Sequence, residues 1–353
     1  MSERMPARLA VVGAGVMGLK HLQAIAAAPS CQATAVVDPS PAGERAAKEW
    51  GLPHYADVEV MLDRIVPDGV IIATPNLLHV PLSLTCVNRG VPVLAEKPIA
   101  DTLDGALSLA EASEVAGVPV LVGHHRRHNP IVRKAREVVR SGALGRLMAV
   151  SATWLVRKPD DYFEVAWRRE LGGGPILINL VHDIDSLRFI GGNISAVQSM
   201  TSSAHRGFAV ADTAAILLRF REGALATVML SDAVVAPWSW ELTSGERTSY
   251  VYPRSGQDCY LFAGTEASLA VPSLRLWRHD GAQSWQSPLL EECLIVDESD
   301  PFYHQVSHFA DVIQGLADPL ITARDAARTL EVALAVDRAA AISGEVVLST
   351  YGL

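Results

Sequence analysis

Short apolar runs alternate with longer amphipathic runs along the first third of the chain. The apolar runs, rich in valine, isoleucine and leucine, predict strands at 8–13, 33–38, 69–73, 91–96 and 118–123. Apolar residues at helical spacing predict helices at 17–28, 41–50, 57–65, 79–89 and 102–116. Strands that alternate with helices are typical of βαβ units, so we expect an α/β Rossmann domain with a doubly wound parallel sheet over residues 1–123.

Beyond residue 195 the pattern changes, because strand-like runs follow one another with only turn residues between them. These runs lie at 196–202, 213–220, 224–231, 238–244 and 248–253, and glycine, proline and charged residues separate them. This arrangement predicts an antiparallel meander rather than further βαβ units. A length of 353 residues also favours two domains, and we place the second over residues 124–353.

Composition narrows the range of functions. With 49% hydrophobic and 20% charged residues, the chain resembles an ordinary globular protein, and a net charge of −9 disfavours a nucleic-acid partner. No apolar run reaches the roughly 18–20 residues of a membrane span. The N-terminus leads directly into the first strand without a signal peptide, so we expect a cytoplasmic protein whose four scattered cysteines are reduced.

The loop Gly13-Ala14-Gly15-Val16-Met17-Gly18 lies between the first predicted strand and the first predicted helix. In a dinucleotide-binding loop the first glycine allows a tight turn, the second lets the backbone approach a pyrophosphate, and the third lets helix and strand pack closely. The helix N-terminus then offers free N–H groups to the phosphates. We therefore predict that Gly13, Gly15, Val16 and Met17 bind a dinucleotide cofactor.

Asp38 ends the second predicted strand, twenty residues after Gly18, and it indicates which dinucleotide binds. A carboxylate at this position accepts hydrogen bonds from a free ribose 2′-hydroxyl and repels a 2′-phosphate. The residues that follow it directly contain no arginine, although Arg45 lies a turn further on. NAD is therefore favoured over NADP.

Two further loops follow predicted parallel strands at the edge where ligands of such sheets bind. They are the stretch Ala-Thr-Pro-Asn-Leu-Leu-His at 73–79 and Glu96-Lys97-Pro98. Together with the glycine loop they resemble the Gfo/Idh/MocA oxidoreductase family, which includes inositol and sugar dehydrogenases. The resemblance extends through GGGPILINLVHDID (172–185) to the closing helices. It implies a second, α+β domain with a large, mostly antiparallel sheet, and it implies that Thr74, Asn76, His79 and Glu96 shape the cofactor side of the site.

The same resemblance implies the catalytic pair. It places Lys97 against the reacting oxygen of the substrate, and it makes His182 the group that exchanges the proton of that oxygen. Imidazole titrates in the range such a step requires, and a partly desolvated lysine can also move a proton near neutral pH. Lys97 is expected to contact the cofactor and the substrate alike.

The second motif departs from the family pattern at one position. The family carries an aspartate where this chain has Ile178, and a polar side chain appears instead at Asn179. Since residues three apart lie near one face of an α-helix, Asn179 is predicted to point toward the site of His182 and help position the substrate. Asp183 and Asp185 are candidates for the missing carboxylate, although Asp183 is expected to point elsewhere.

Several other residues allow two interpretations. The resemblance assigns Arg127, Trp167 and Arg168 to segments that line the substrate cleft, but surface ion pairs would also account for the two arginines. Residues 124–169 contain eleven Lys and Arg against four acids. That excess favours an anionic substrate unless these cations pair with carboxylates elsewhere. His124, His125 and His128 lack further ligands at metal-binding spacing, so no metal site is predicted.

These observations predict an NAD-dependent dehydrogenase acting on a secondary alcohol of a cyclic polyol, sugar or sugar acid. One alternative is a hydrolase or lyase that retains NAD and oxidises its substrate transiently. Another is a non-catalytic protein that binds NAD and responds to it. By analogy with the family, which associates through the second-domain sheet, we expect a homodimer or homotetramer.

Overall fold

A computed structural model describes residues 5–246 and 254–349. Its strands are β1 Ala7–Val12, β2 Cys31–Val37, β3 His54–Tyr55, β4 Gly69–Ile72, β5 Val93–Ala95, β6 Val120–Val122, β7 Leu147–Leu155, β8 Ile194–Ser202, β9 Thr213–Phe220, β10 Leu225–Ser231, β11 Tyr260–Gly264, β12 Ala267–Val271, β13 Arg275–His279, β14 Leu289–Cys293 and β15 Val346–Val347. Its α-helices are α1 Val16–Ala27, α2 Pro41–Trp50, α3 Val58–Arg64, α4 His79–Asn88, α5 Leu103–Ala116, α6 Pro130–Arg140, α7 Val181–Gly191, α8 Trp240–Thr243, α9 Pro301–Ile313 and α10 Ala323–Ile342. Throughout these described residues, none of the helices has both the length and the apolar character needed to cross a bilayer.

The chain divides into two compact units. The first runs to His128 and also takes Ser299–Leu330, and the second comprises Asn129–Glu298 together with the chain from Glu331 onward. Each unit is built around its own sheet.

The sheet of the first unit has six parallel strands in the order β3-β2-β1-β4-β5-β6. The Rossmann architecture predicted for residues 1–123 is confirmed, and the observed ends of the predicted strands and helices differ by two residues at most. Only the short strand β3 has no counterpart among the predictions. Because the chain leaves β1 first toward β2 and later returns to β4 on its other side, a topological switch point lies between β1 and β4.

Helix α9 belongs to this first unit although it is distant in sequence. Its side chains Phe302, Val306 and Phe309 are buried in one core with Leu22 and Ile25 of α1. The packing is close enough that a β carbon on Gly69, at the start of β4, would lie 2.9 Å from the Phe309 ring. The predicted domain 124–353 is therefore not one contiguous unit, because the apolar face of α9 completes the cover of the parallel sheet.

The second unit contains a nine-stranded sheet in the order β14-β13-β12-β11-β7-β10-β9-β8-β15. It is antiparallel except where β10 pairs in parallel with β7. Alternate residues of β9 and β10 are buried and exposed, as expected for a sheet with one covered face. The large, mostly antiparallel sheet is thus confirmed.

Two predicted strands of this region need separate comment. The run 238–244 is not a strand, because Trp240–Thr243 forms a short helix and Trp240 is fully buried against Tyr260. The alternation of Trp238 and Trp240 therefore comes from a turn followed by a helix, not from a pleated strand. The run 248–253 lies outside the described residues.

The position of α9 yields a stability prediction. We expect Phe309→Ala to lower the free energy of unfolding of the first unit by about 3–5 kcal/mol, because a fully buried aromatic ring is replaced by a cavity. Val115→Ala, at a helix position that is 83% exposed, serves as the control and is expected to change it by less than about 0.5 kcal/mol. Urea unfolding followed by circular dichroism measures both, and equal midpoints for the two variants would contradict the assignment of α9 to this core.

Candidate functional site

The glycine loop after β1 is shaped by close backbone contacts. Gly13 has a positive φ of 96°, and a β carbon there would lie 2.5 Å from the carbonyl oxygen of Ala73. A β carbon on Gly18 would lie 1.8 Å from the carbonyl oxygen of Gly13. Gly15, in contrast, has nothing within 4 Å of its β-carbon position. Two glycines therefore make the turn possible, while the third leaves an open backbone surface that a ligand can approach.

Helix α1 begins at this open surface. Gly15 is its N-cap and makes no side-chain capping bond, and the first turn carries no acidic residue. The N–H groups at the start of a helix have no intrahelical partners, and the helix dipole adds partial positive charge there. Val16 and Met17 are the first two residues of this helix, so their N–H groups are among those available to an anionic ligand.

Asp38 follows β2 directly and is tied to the glycine loop. Its Oδ2 accepts the N–H of Ala14 at 2.7 Å, and its Oδ1 accepts both the N–H and the hydroxyl of Ser40. Burial alone would raise the pKa of Asp38, but these hydrogen bonds outweigh burial and lower it below its usual value. The side chain is half-buried and charged, and a carboxylate has lone pairs left for a ribose hydroxyl. Arg45 is exposed on α2.

The loop after β4 contains a buried hydroxyl with no partner. The Oγ1 atom of Thr74 is inaccessible to solvent and makes no hydrogen bond within the described residues. Asn76, half-buried, starts a 3-10 turn that ends at Leu78. An unsatisfied buried hydroxyl beside the switch point fits a site that a polar ligand completes. Together with the open face at Gly15 and the uncapped start of α1, it fits a dinucleotide.

His79 has a different role from the one predicted. It is buried, with Nδ1 2.7 Å from the carbonyl oxygen of Pro98 and Nε2 2.8 Å from the carbonyl oxygen of Thr74. Both ring nitrogens are therefore engaged inside the protein. His79 joins the loop after β4 to the loop after β5 and has no nitrogen left for a cofactor.

Glu96 is likewise enclosed by the protein. Its Oε1 lies 2.8 Å from Nε2 of His21 on α1, and both side chains are buried. Its Oε2 accepts the N–H of Lys97 at 3.2 Å. Burial would raise the pKa of Glu96, but the hydrogen bond from His21 and the charges of His21, Lys97 and His125 lower it to about 2. Glu96 thus anchors the loop from within. In contrast to the prediction, it does not present its carboxylate to a ligand.

Lys97 is half-buried and begins the turn after β5. Because all six strands are parallel, the residues that follow β1, β2, β4 and β5 meet at one edge of the sheet. The glycine loop, Asp38, Thr74 and Lys97 are those residues. In the order of the strands, Asp38 comes first along this edge, followed by the glycine loop, Thr74 and Lys97.

Sequence reasoning missed His21. The residue lies three positions after the last glycine of the loop, on the buried face of α1. A histidine at that spacing, on a face otherwise made of apolar residues, is the signal that identifies it, because a buried histidine requires a polar partner.

In the second unit, two of the three glycines before α7 pack closely against other parts of the chain. A β carbon on Gly173 would lie 2.3 Å from the carbonyl oxygen of Trp167, and one on Gly174 would lie 2.8 Å from Val210. The helix entered from this turn is not regular, since Ile176–Leu180 forms a π turn before α7 begins. The α-helical spacing that predicted the direction of Asn179 therefore does not apply to it. Such wide turns are rare in proteins, but those that occur are often found at functional sites.

Asn179 is half-buried in this π turn and accepts a hydrogen bond at Oδ1 from Nζ of Lys158, at 2.7 Å. Lys158 is buried, and sequence reasoning did not single it out. His182 lies in the first turn of α7 and is 6% exposed, with its Nδ1 atom buried. Asp183 is buried and accepts the hydroxyl of Tyr260, and Asp185 is buried as well. The two aspartates thus lie in the interior of the unit.

The remaining predicted substrate residues differ in their surroundings. Arg127 is buried and forms an ion pair with Asp325 at 2.5 Å within the first unit, so its guanidinium is engaged structurally. Trp167 is 48% exposed. Arg168 is half-buried and stacks on Tyr162, with 4.0 Å between its guanidinium carbon and the ring centre.

The cations of residues 124–169 are paired in several cases. Besides Arg127, Lys134 lies 2.8 Å from Glu137 and Arg157 lies 3.3 Å from Asp160. Both of these pairs are exposed. Glu137 and Asp160 are already among the four acids of this segment, so of these three pairs only Arg127–Asp325 brings in a carboxylate from outside it.

Comparison with known proteins places these features in a family. The Gfo/Idh/MocA model for an oxidoreductase domain with an NAD-binding Rossmann fold matches residues 7–124, and the model for the C-terminal domain of the same family matches residues 132–269. The rhizopine catabolism protein MocA of Rhizobium meliloti is 34% identical over 186 residues, which are 52% of this chain and only 57% of that protein.

A second relative and a solved structure extend the likeness. The 1,5-anhydro-D-fructose reductase of Ensifer adhaerens is 28% identical over 277 residues, 78% of each protein. The crystal structure of the WlbA dehydrogenase from Bordetella pertussis in complex with NADH and UDP-GlcNAcA has a TM-score of 0.77 at 21% identity, and the match covers 98% of this chain and 99% of that one. This last likeness shows the fold. The chain belongs to the Gfo/Idh/MocA family of oxidoreductases, and its first unit contains the NAD-binding Rossmann domain of that family.

Proposed function

We propose that this protein is a dehydrogenase that prefers NAD over NADP and oxidises a secondary alcohol on a cyclic polyol, a sugar or a sugar acid. The observation that carries the proposal is the order of groups along the edge of the parallel sheet: charged Asp38, open glycine loop, unsatisfied Thr74 hydroxyl and Lys97. The name of the Ensifer reductase supports a sugar-like substrate.

The proposed chemistry divides between residues of this chain and the cofactor. NAD, when bound, supplies the acceptor for the hydride. The ammonium of Lys97 holds and polarises the reacting oxygen, and its loop is fixed from within by Glu96. His182 takes up the hydroxyl proton. Since its Nδ1 is buried, Nε2 is the atom assigned to this exchange. Asn179 donates a hydrogen bond that positions the substrate.

We further propose that the protein self-associates through the exposed face of the nine-stranded sheet. Large apolar side chains occupy that face on neighbouring strands, including Leu217 at 52%, Leu225 at 55% and Met229 at 43% exposure. The residues that a strand points toward the solvated face of a sheet are normally polar. The family resemblance supports a second copy of the chain as the occupant, in a homodimer or homotetramer.

The cofactor preference is testable at Asp38. Titration by quenching of intrinsic fluorescence is expected to show NAD binding at least about ten times more tightly than NADP. Asp38→Asn keeps an acceptor for the N–H of Ala14 but loses the charge. The ratio of NAD affinity to NADP affinity is therefore expected to fall by about ten-fold, the equivalent of about 1.4 kcal/mol. Glu49→Gln removes a charge from the exposed face of α2 and is expected to change neither affinity. Equal affinities for both cofactors in the unmodified protein would disprove the assignment.

The role of Lys97 is testable by turnover. Lys97→Met is expected to lower kcat by about 10²–10⁴-fold, the usual contribution of a positioned acid or base, while NAD affinity changes little. Lys48→Met, on the exposed surface of α2, is the matched control. Both are measured by NADH absorbance across a panel of polyols and sugars. If the Lys97→Met enzyme retains most of its kcat, Lys97 has no part in the chemical step.

Self-association is testable by light scattering coupled to size-exclusion chromatography. The unmodified protein is expected to elute as a dimer or tetramer, and Leu217→Lys is expected to yield a smaller species because it buries a charge in the interface. Val115→Lys, at an exposed position of the first unit, is expected to leave the mass unchanged. A monomeric unmodified protein would refute this proposal.

A further inference from the structure

Lys158 is a buried lysine in the second unit that neither the family motifs nor the proposed mechanism uses. It follows β7, and its backbone is fixed because its N–H donates to the carbonyl oxygen of Asp232 at 2.9 Å and its carbonyl oxygen accepts from Arg206 at 3.1 Å. The side chain is directed inward, with Nζ 4.7 Å from the centre of the Tyr162 ring and 5.5 Å from that of Trp154. Only 9% of the residue is exposed. A lysine is rarely enclosed in this way unless its charge is used.

The positive charge of Lys158 is only partly balanced. Its Nζ lies 3.5 Å from Oδ2 of Asp232, but the other oxygen of that carboxylate is 3.1 Å from Nε of Arg206. The Asp232 carboxylate therefore serves two cations, although Arg206 also lies 3.4 Å from the exposed carboxylate of Asp160. Glu241 adds a more distant negative charge, and it already accepts the indole N–H of Trp154 at 3.0 Å. Burial lowers the pKa of Lys158 to about 8, with Asp232 opposing the shift and Arg206 adding to it. At neutral pH the ammonium is mainly charged.

The ammonium determines which way the Asn179 amide faces. An ammonium can only donate hydrogen bonds, so the atom 2.7 Å from Nζ must be the amide oxygen. The NH₂ group of Asn179 is then left with two donors, and it has no hydrogen-bond partner within the described residues. Asn179 thus offers donors to a ligand, whereas an aspartate could offer only acceptors.

Resting on the proposed function, we propose that Lys158 and Asn179 form a donor subsite that selects substrates carrying a carboxylate on the ring that bears the reacting alcohol. Asn179 donates to the carboxylate directly. Lys158 is the specificity-determining residue behind it, because it orients the amide and supplies positive charge. A hydroxyl can accept from Asn179 as well, but it brings no charge for the ammonium to attract, so the subsite discriminates by charge.

The test compares uronates with the matching neutral sugars, using D-galacturonate against D-galactose and D-glucuronate against D-glucose, with NAD and NADH absorbance. The unmodified protein is expected to show a kcat/KM for a uronate at least about ten times that for its neutral partner. Lys158→Met is expected to raise the KM for the uronate by about 10–100-fold, with a smaller change in kcat and little change for the neutral sugar. Asn179→Asp is expected to reverse the preference by restoring an acceptor.

The dependence of KM on pH separates a charge effect from a structural one. As pH rises through about 8, Lys158 loses its proton, so the KM for the uronate is expected to rise in the unmodified protein. The same rise is expected to be absent in Lys158→Met. Arg157→Met removes the neighbouring exposed cation, which pairs with Asp160, and is expected to keep the unmodified profile. Should Lys158→Met not fold, the Asn179→Asp comparison decides alone.

The outcomes distinguish this inference from the function on which it rests. Preferred turnover of neutral sugars, with KM values unaffected by Lys158→Met, overturns the donor subsite and leaves the dehydrogenase proposal intact. If NAD binds but no substrate is oxidised, the proposed function fails, and calorimetric titration of D-galacturonate and D-galactose into the NADH complex still decides the inference. Tighter binding of the uronate that depends on Lys158 supports it, and equal binding overturns it.

Discussion

A buried hydrogen bond between His21 and Glu96 joins the first helix of the Rossmann unit to the end of its fifth strand. The helix begins at the glycine loop, and the same carboxylate also accepts the N–H of Lys97. A charged carboxylate in the interior is costly unless it is paired, and removing one partner of such a pair typically costs about 3–5 kcal/mol. The position of Lys97 relative to the glycine loop therefore depends on a contact buried inside the unit.

The third loop of the site is tied to the same framework. His79 bridges the backbones of Thr74 and Pro98, so the loops after β4 and β5 are held together, and Ala73 packs directly on Gly13. The motifs that resemble the family are thus three parts of one hydrogen-bonded body. Some of their polar residues hold the loops, and Asp38 combines this with its proposed role as ribose acceptor, since its carboxylate also accepts the N–H of Ala14.

The sequence was sufficient to predict the first unit because local signals agree there. Asp57 and Thr102 cap the helices they precede, and Gly117 ends α5 in the left-handed conformation. What α9 covers was not predictable, because helical periodicity reveals an apolar face but not its partner. The roles of His79 and Glu96 were misassigned for a similar reason: a position after a strand locates a residue at the binding edge without determining whether its side chain turns outward or into the protein.

Lys158 shows the same limit in the second unit. It stands between Arg157 and the acids at 160 and 161, and such a run of mixed charge usually lies on a solvated surface. Its burial depends on Asp232, Arg206 and the aromatic rings around it, which are close only in the folded chain.

The burial of Lys158 determines what effect the missing aspartate of the second motif has. A lysine beside an aspartate would form an ion pair with almost no net charge, and the carboxylate would remain an acceptor for substrate hydroxyls. Beside Asn179 the same lysine keeps its charge, and the amide turns its donors outward. An amide rather than a carboxylate at position 179 therefore reverses the polarity of the subsite instead of only weakening it. Whether a family member with an amide here gains a donor subsite depends on a buried cation facing the amide, a feature of the folded chain that the motif alone does not contain.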